Sequence, residues 1–356
     1  MPIDPDSRGV GQVRMRLSPF SSTEHFRRAF VGGLEGLLQR RGLGSYILVH
    51  ANASFDPEVG ARLEGRLRDQ FLILSERFRA TLRDGRDPSE APDDVLVFLK
   101  LMAIGFDGVQ PTECRRAGPW EVQFNHLRAF RPARMSARPV IGIYAPFDRQ
   151  GFHFNRPFLR KEVFWSGQLH GVEVDLFYNK FPFVDLHGLL VPDRAANQPQ
   201  FLSRTYHLYV WSLASRLGTR LPGVGFGYNS YGAYASVNHL HFQMFVRDRP
   251  LPLTAAGWRH NGGDRDYPTA CEPFRCPRQA WERLRQLHAE EISYNLVYLP
   301  GVLYCLPRRR QGDYTHAPWT AGFAWYELAG AVTAFNRQDF AIDGETISRE
   351  LAKLAL

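Results

Sequence analysis

The stretch NSYGAYASVNHLHFQMFV, Asn229 to Val246, sets His239, His241 and Gln243 at every second position behind a run of small residues. On a β-strand, residues i, i+2 and i+4 share one face. The spacing predicts a strand with two imidazoles and a carboxamide along one side. Leu240, Phe242 and Met244 fall along the other. That apolar side has to meet a core, so the strand belongs in a sheet with at least one covered face. No other feature of the chain constrains its fold as tightly.

The polar side carries chemistry. A neutral imidazole is a good nucleophile toward phosphorus, and the phosphoramidate it forms is reactive enough to be discharged. An ordinary histidine pKa of ~6.5 leaves most of the ring neutral at pH 7. A flanking histidine can donate a hydrogen bond to a phosphate oxygen. Gln243 can also donate, but its amide does not titrate, so it positions and polarises without protonating a leaving group. Just upstream, Asn229, Ser230, Gly232 and Ala233 let backbone N–H groups approach phosphate oxygens. One stray histidine on a strand reads as structural. Two in alternation with Gln, behind such a loop, read as catalytic.

The remainder of the chain alternates helical and strand patterns. Helical spacing runs from TEHFRRAFVGGLEGLLQRRG, with Thr23 as N-cap and Gly42 as stop, and again up to about Gly85. Residues 1–24 read as a loose tail, and residues 1–104 as a mainly helical region without identifiable chemistry. Strand signals begin near residue 120 with WEVQF, PVIGIYAPF, KEVFWSG, GVEVDLFYNKFP and HGLLVPD. An amphipathic helix, PQFLSRTYHLYVWSLASRLG, leads through a glycine-rich loop to the histidine strand. Then come a long loop, a helix, a hairpin turning at Pro300-Gly301, a helix over GFAWYELAGAVTAF and a last helix over ETISRELAKLAL. Phe152, Phe154, Phe158, Phe164 and Trp165 are read mostly as core, and Asp148 as a turn residue.

Composition narrows the class. Apolar residues at 44 % and charged residues at 22 % suit a globular protein. No apolar run approaches the roughly 20 residues of a membrane span, so no membrane partner is expected and the cytoplasm is the default compartment. The net charge is +8, and 40 of the 44 basic residues are arginine. Without zinc-finger spacing, an aromatic RNA-binding signature or a long basic tail, this favours small anionic ligands over polynucleotides. Cys271 and Cys276 in CEPFRC, with His260 nearby, leave a zinc site open, though ordinary thiols are the better reading for Cys114, Cys271, Cys276 and Cys305.

HLHFQ resembles the active-site strand of the histidine-triad superfamily, in the uridylyltransferase-type branch where Gln takes the third place. The longer GYNSYGAYASVNHLHFQ is similar to the GDP-L-galactose/GDP-D-glucose phosphorylases. VQFNHLRAFRP, APFD, FHFNRPFLRKEVFW and NKFPFVDLHGLLVP agree in order over roughly residues 105–245. The resemblance implies an α+β fold, an antiparallel sheet with flanking helices in two related halves. These would be a catalytic half at 105–250 and a C-terminal half at 251–356. It implies that His241 is the nucleophile, that His239 supports the phosphate or leaving group, and that Gln243 hydrogen-bonds a covalent nucleotidyl-histidine. Asn229, Ser230 and Gly232 would line the phosphate site, with Asn179, Asn125 and Arg128 as further substrate contacts. His126 and Leu127 depart from the family pattern, and His187-Gly188 reverses the usual Gly-His order.

The expected reaction is ping-pong nucleotidyl transfer from a sugar nucleotide, GDP-hexose first, to phosphate or a sugar phosphate. No cofactor and no metal are expected, and a homodimer is the candidate assembly. The alternatives are the same chemistry on a dinucleoside polyphosphate or an unusual sugar 1-phosphate, and a nucleotide sensor without turnover.

Overall fold

Capping and burial explain where the N-terminal helices begin and end. The Ser22 side chain accepts the His25 N–H, so the cap of α1 (Thr23–Leu38) lies one residue earlier than expected. Gly42 does not stop that helix; it precedes α2 (Leu43–Phe55). Leu43 to Ala53 are all buried, so α2 has no polar stripe to betray it in the sequence. Asp56 caps α3 (Pro57–Arg83), which starts on a proline, and α4 (Pro92–Ile104) follows. The computed structural model describes residues 18–40, 42–131 and 140–356. The tail expected over residues 1–24 lies, up to residue 17, outside them, as does Pro132 of VQFNHLRAFRP.

Next come β1 (Glu113–Ala117), β2 (Trp120–Phe124), α5 (His126–Ala129), β3 (Val163–Leu169), β4 (Val172–Tyr178) and β5 (Gly188–Pro192). Ser203 caps α6 (Arg204–Gly218), which leads to β6 (Val224–Asn229) and β7 (Phe242–Val246). The C-terminal third holds β8 (Glu272–Phe274), α7 (Pro277–Ala289), the hairpin β9 (Ser293–Leu299) and β10 (Val302–Arg308), α8 (Trp325–Leu328), β11 (Ala331–Ala334) and α9 (Gly344–Ala352). The helix expected over GFAWYELAGAVTAF is corrected: it makes one turn. Gly330 then takes a φ of +92°, and Val332 and Thr333 run as a strand parallel to β2.

The main sheet has eight strands in the order β3-β4-β5-β7-β6-β9-β10-β8, and its pairings are antiparallel. The protein is thus α+β, an antiparallel sheet with flanking helices. Because β6 pairs with β9, strands from residues 105–250 and 251–356 share this one sheet. A second sheet, β1-β2-β11, stands beside it. One face of the main sheet carries Leu176, Leu190, Phe226, Phe242, Met244 and Leu296 into a core shared with helices α1 to α4, α6 and α7. The opposite face meets two smaller apolar clusters, one around Phe154 and Phe177, the other around Phe183 and Trp325. The N-terminal helices therefore cover the side away from the histidines.

Candidate active site

The alternation of sides holds, but the strand is shorter than the sequence predicts. Leu240, Phe242 and Met244 are fully buried in the main core, yet β7 begins only at Phe242. His239 and His241 thus lie just ahead of the strand, which corrects the continuous strand expected through them. The local reason is Gln200. The His241 N–H donates to its Oε1 at 2.9 Å, where a neighbouring strand would otherwise accept.

Both rings lie against Phe154, at 5.6 Å for His239 and 5.3 Å for His241 between ring centres. Their tautomers follow from their backbone partners. His241 Nδ1 lies 2.8 Å from the His239 carbonyl. A carbonyl only accepts, so Nδ1 carries the proton and Nε2 keeps its lone pair. His239 is the reverse: its Nδ1 accepts the Phe154 N–H at 3.2 Å. Its Nε2 therefore holds the proton, and it is buried with no partner among the described residues. One ring offers a lone pair and the other an unused donor. Burial pushes the pKa of each down to about 4, and the neighbouring His241 and His153 rings reinforce this at His239. Both are neutral at pH 7.

Gln243, on β7, is held by His187. The Phe183 N–H points to His187 Nδ1 at 3.4 Å, leaving Nε2–H to donate to Gln243 Oε1 at 3.1 Å. That bond fixes which end of the carboxamide faces His187 and leaves its NH2 group facing elsewhere. His187 is fully buried, and burial, helped by Arg128, lowers its pKa to about 3. The reversed His-Gly order that stood out in the sequence places this ring beside the glutamine. Asn179 Nδ2 lies 3.3 Å from the same His187 nitrogen, and its Oδ1 accepts the Phe181 N–H.

The loop after β6 is clamped by the C-terminal third. Asn229 Oδ1 accepts from Asn295 Nδ2 at 2.7 Å and from the Trp325 N–H at 2.9 Å. Ser230 Oγ accepts the Tyr294 N–H at 3.0 Å. Gly232, at a φ of +87°, accepts the Gln311 N–H at its carbonyl. These side chains shape the loop from inside. Asn125 and Arg128 stand apart from the histidine pair. Asn125 caps α5 and reaches Thr112, while buried Arg128 donates to the Phe181 carbonyl and lies 4.4 Å over the Phe183 ring. Burial draws the Arg128 pKa down to about 10, and its Nε has no partner among the described residues.

The segment 145–154 folds over His239. Phe147 meets its ring edge-on at 5.1 Å, and His153 stands 6.4 Å away. Phe154 is core and Phe164 and Trp165 pack against the main core, as expected of most of these aromatics, whereas Phe152 and Phe158 are exposed. Asp148 accepts the Gln150 N–H in a turn. Among the described residues no group of three His, Cys, Asp or Glu side chains could hold a metal ion, and His260 is spent on the Leu253 carbonyl. Of the residues that bear on the histidines, the sequence pattern did not single out Gln200. It is remote in sequence and carries no motif.

With this geometry in view, the class of the site-bearing segment is clear: residues 121–245 match the family described as GDPGP1-like, N-terminal domain. Among curated proteins, GDP-D-glucose phosphorylase 1 of Danio rerio is 28 % identical over 135 residues, 38 % of each chain. GDP-L-galactose phosphorylase 1 of Arabidopsis thaliana is 37 % identical over 70 residues, 20 % of this chain and 15 % of that one. The aligned stretches thus span well under half of these relatives. Among solved structures, yeast Ap4A phosphorylase Apa2 aligns at 17 % identity over 74 % of this chain and 94 % of its own, with a TM-score of 0.46. The resemblance to GDP-hexose phosphorylases read from GYNSYGAYASVNHLHFQ holds.

Proposed function

We propose that this protein is a nucleotidyltransferase that phosphorolyses a sugar nucleotide, with GDP-hexose as the first substrate, through a covalent nucleotidyl-histidine. The observation that carries the reading is the complementary pair of tautomers: a lone pair on His241 Nε2 beside an unpartnered N–H on His239 Nε2. The names of the relatives support the choice of GDP-hexose.

In the first step the His241 Nε2 lone pair attacks the α-phosphorus. A P–N bond forms, and the P–O bond to the sugar phosphate breaks. Its electron pair leaves on the hexose 1-phosphate oxygen, a phosphate that departs without needing a proton. His239 Nε2–H donates to a phosphate oxygen as charge develops there. The Gln243 NH2 group, oriented by His187, holds the nucleotidyl-histidine without supplying an acid. In the second step an oxygen of inorganic phosphate attacks the same phosphorus. The P–N bond breaks, the lone pair returns to His241, and a nucleoside diphosphate departs.

Phosphate-dependent release of hexose 1-phosphate from GDP-, ADP- and UDP-glucose, beside Ap4A, tests this reading. Turnover fastest with a GDP-hexose is the expected result. Turnover confined to Ap4A would keep the chemistry and replace the substrate. Tight nucleotide binding with no turnover of any of them would leave a sensor in place of the enzyme.

A further inference from the structure

The β6–β7 ladder stops one rung early, and Gln200 stands where the missing rung would be. In this antiparallel pair Gly225 opposes Phe245 and Gly227 opposes Gln243, and the Arg247 N–H donates to the Gly223 carbonyl. Hydrogen-bonded pairs recur at every second residue. The next would be Asn229 with His241, each donating its N–H to the other's carbonyl. Instead, the His241 N–H donates to Gln200 Oε1 at 2.9 Å. Gln200 Nε2 donates to the Asn229 carbonyl at 2.9 Å and to the His241 carbonyl at 3.3 Å. One carboxamide thus bonds both backbones and holds them apart.

The segment bearing Gln200 is itself fastened to the histidine segment. The Leu240 N–H donates to the Gln198 carbonyl at 2.8 Å, and the Gln200 N–H to Asn238 Oδ1 at 3.0 Å. Asn238 in turn donates to the Ala145 and Pro146 carbonyls. Gln200 is 1 % exposed, and its side chain bonds main-chain atoms of Asn229 and His241. An apolar side chain of its size would fill the space and leave a buried N–H and two buried carbonyls without partners.

We propose that Gln200 is the positioning residue of the site: it replaces the last rung between β6 and His241, and so sets where the His241 ring stands and which of its nitrogens stays free. Beyond this rung the chain has left the sheet, and the His239 carbonyl is available to accept the His241 Nδ1–H hydrogen bond. The catalytic part of this proposal rests on His241 being the nucleophile. The structural part does not.

The test uses the full chain as Gln200→Met, close in size but unable to make these bonds, with Asn238→Ala as a milder variant that loosens the same segment. Three quantities are read: the affinity for GDP, the rate of nucleotidyl-adduct formation at saturating GDP-glucose, and the His241 tautomer by nitrogen NMR. Gln200→Met is expected to bind GDP within about threefold of the unaltered protein. Its adduct rate falls on the order of 100-fold, the scale of a small misplacement of a reacting group, and the His241 ring averages between tautomers. Asn238→Ala moves both readouts the same way by less, and carries the test if Gln200→Met does not fold. An unchanged tautomer and rate in a folded variant would overturn the proposal. An adduct that persists in His241→Ala would instead remove the nucleophile assignment, and the tautomer readout would still judge Gln200.

Discussion

If His241 is the proposed nucleophile, it should keep working in acid where an ordinary histidine would stop. Burial lowers the His241 pKa to about 4, and in the proposed mechanism its neutral form is the one that attacks. At pH 5.5 a histidine of ordinary pKa ~6.5 would be about 9 % neutral, against about 76 % at pH 7, a loss of about eightfold in rate. With a pKa of about 4, roughly 97 % of His241 is neutral at pH 5.5. The assay is the single-turnover rate of adduct formation from GDP-glucose without phosphate, whose own titration would obscure the result. The sugar nucleotide has no pyrophosphate proton to lose in this range. The rate is expected to vary less than twofold between pH 7.5 and 5.5. A fall of about tenfold over that range, with a midpoint near 6.5, would refute the argument that burial holds this ring neutral. The same shift works against folding in acid: the unfolded chain takes up the proton below its pKa of ~6.5, the folded chain only near 4. Stability present above pH 6.5 is lost as pH falls toward 4, so folding is followed by circular dichroism at each pH.

Two substitutions probe the supports of the site. His187→Leu leaves Gln243 Oε1 without its donor, and is expected to lower the adduct rate about tenfold while GDP affinity changes little. An equal loss in both would make His187 a packing residue only. Glu121→Ala removes the carboxylate to which the buried Arg247 guanidinium donates at 2.8 and 3.1 Å, leaving it only the looser ion pair with Asp185 at 3.6 Å among the described residues. This pair ties β2 to the chain just after β7, and breaking it should cost about 3–5 kcal/mol in urea unfolding. A loss below about 1 kcal/mol would contradict that role.

What the sequence revealed follows from how local each feature is. The alternation of His239, His241 and Gln243 against Leu240, Phe242 and Met244 is a property of consecutive residues, so the two-sided segment could be read directly. The early end of β7 could not, because the group that ends it is Gln200, 41 residues before His241. Helix α2 was invisible because burial on all sides erases the stripe that marks a surface helix. β11 was taken for helix because four strand residues follow a turn of α8, and only Gly330 marks the change. His187 looked misplaced beside its glycine. Its meaning appears only in the β5–β7 register, where Gly188 opposes Met244 and brings His187 to Gln243.

The central claim, a nucleotide carried on His241, is tested most directly by intact-protein mass spectrometry after brief mixing with GDP-glucose in the absence of phosphate. The account predicts a mass gain of one GMP residue on the unaltered protein, discharged by added phosphate and absent from His241→Ala. Phosphorolysis proceeding at full rate with no adduct at any mixing time, or in the His241→Ala variant, would contradict it.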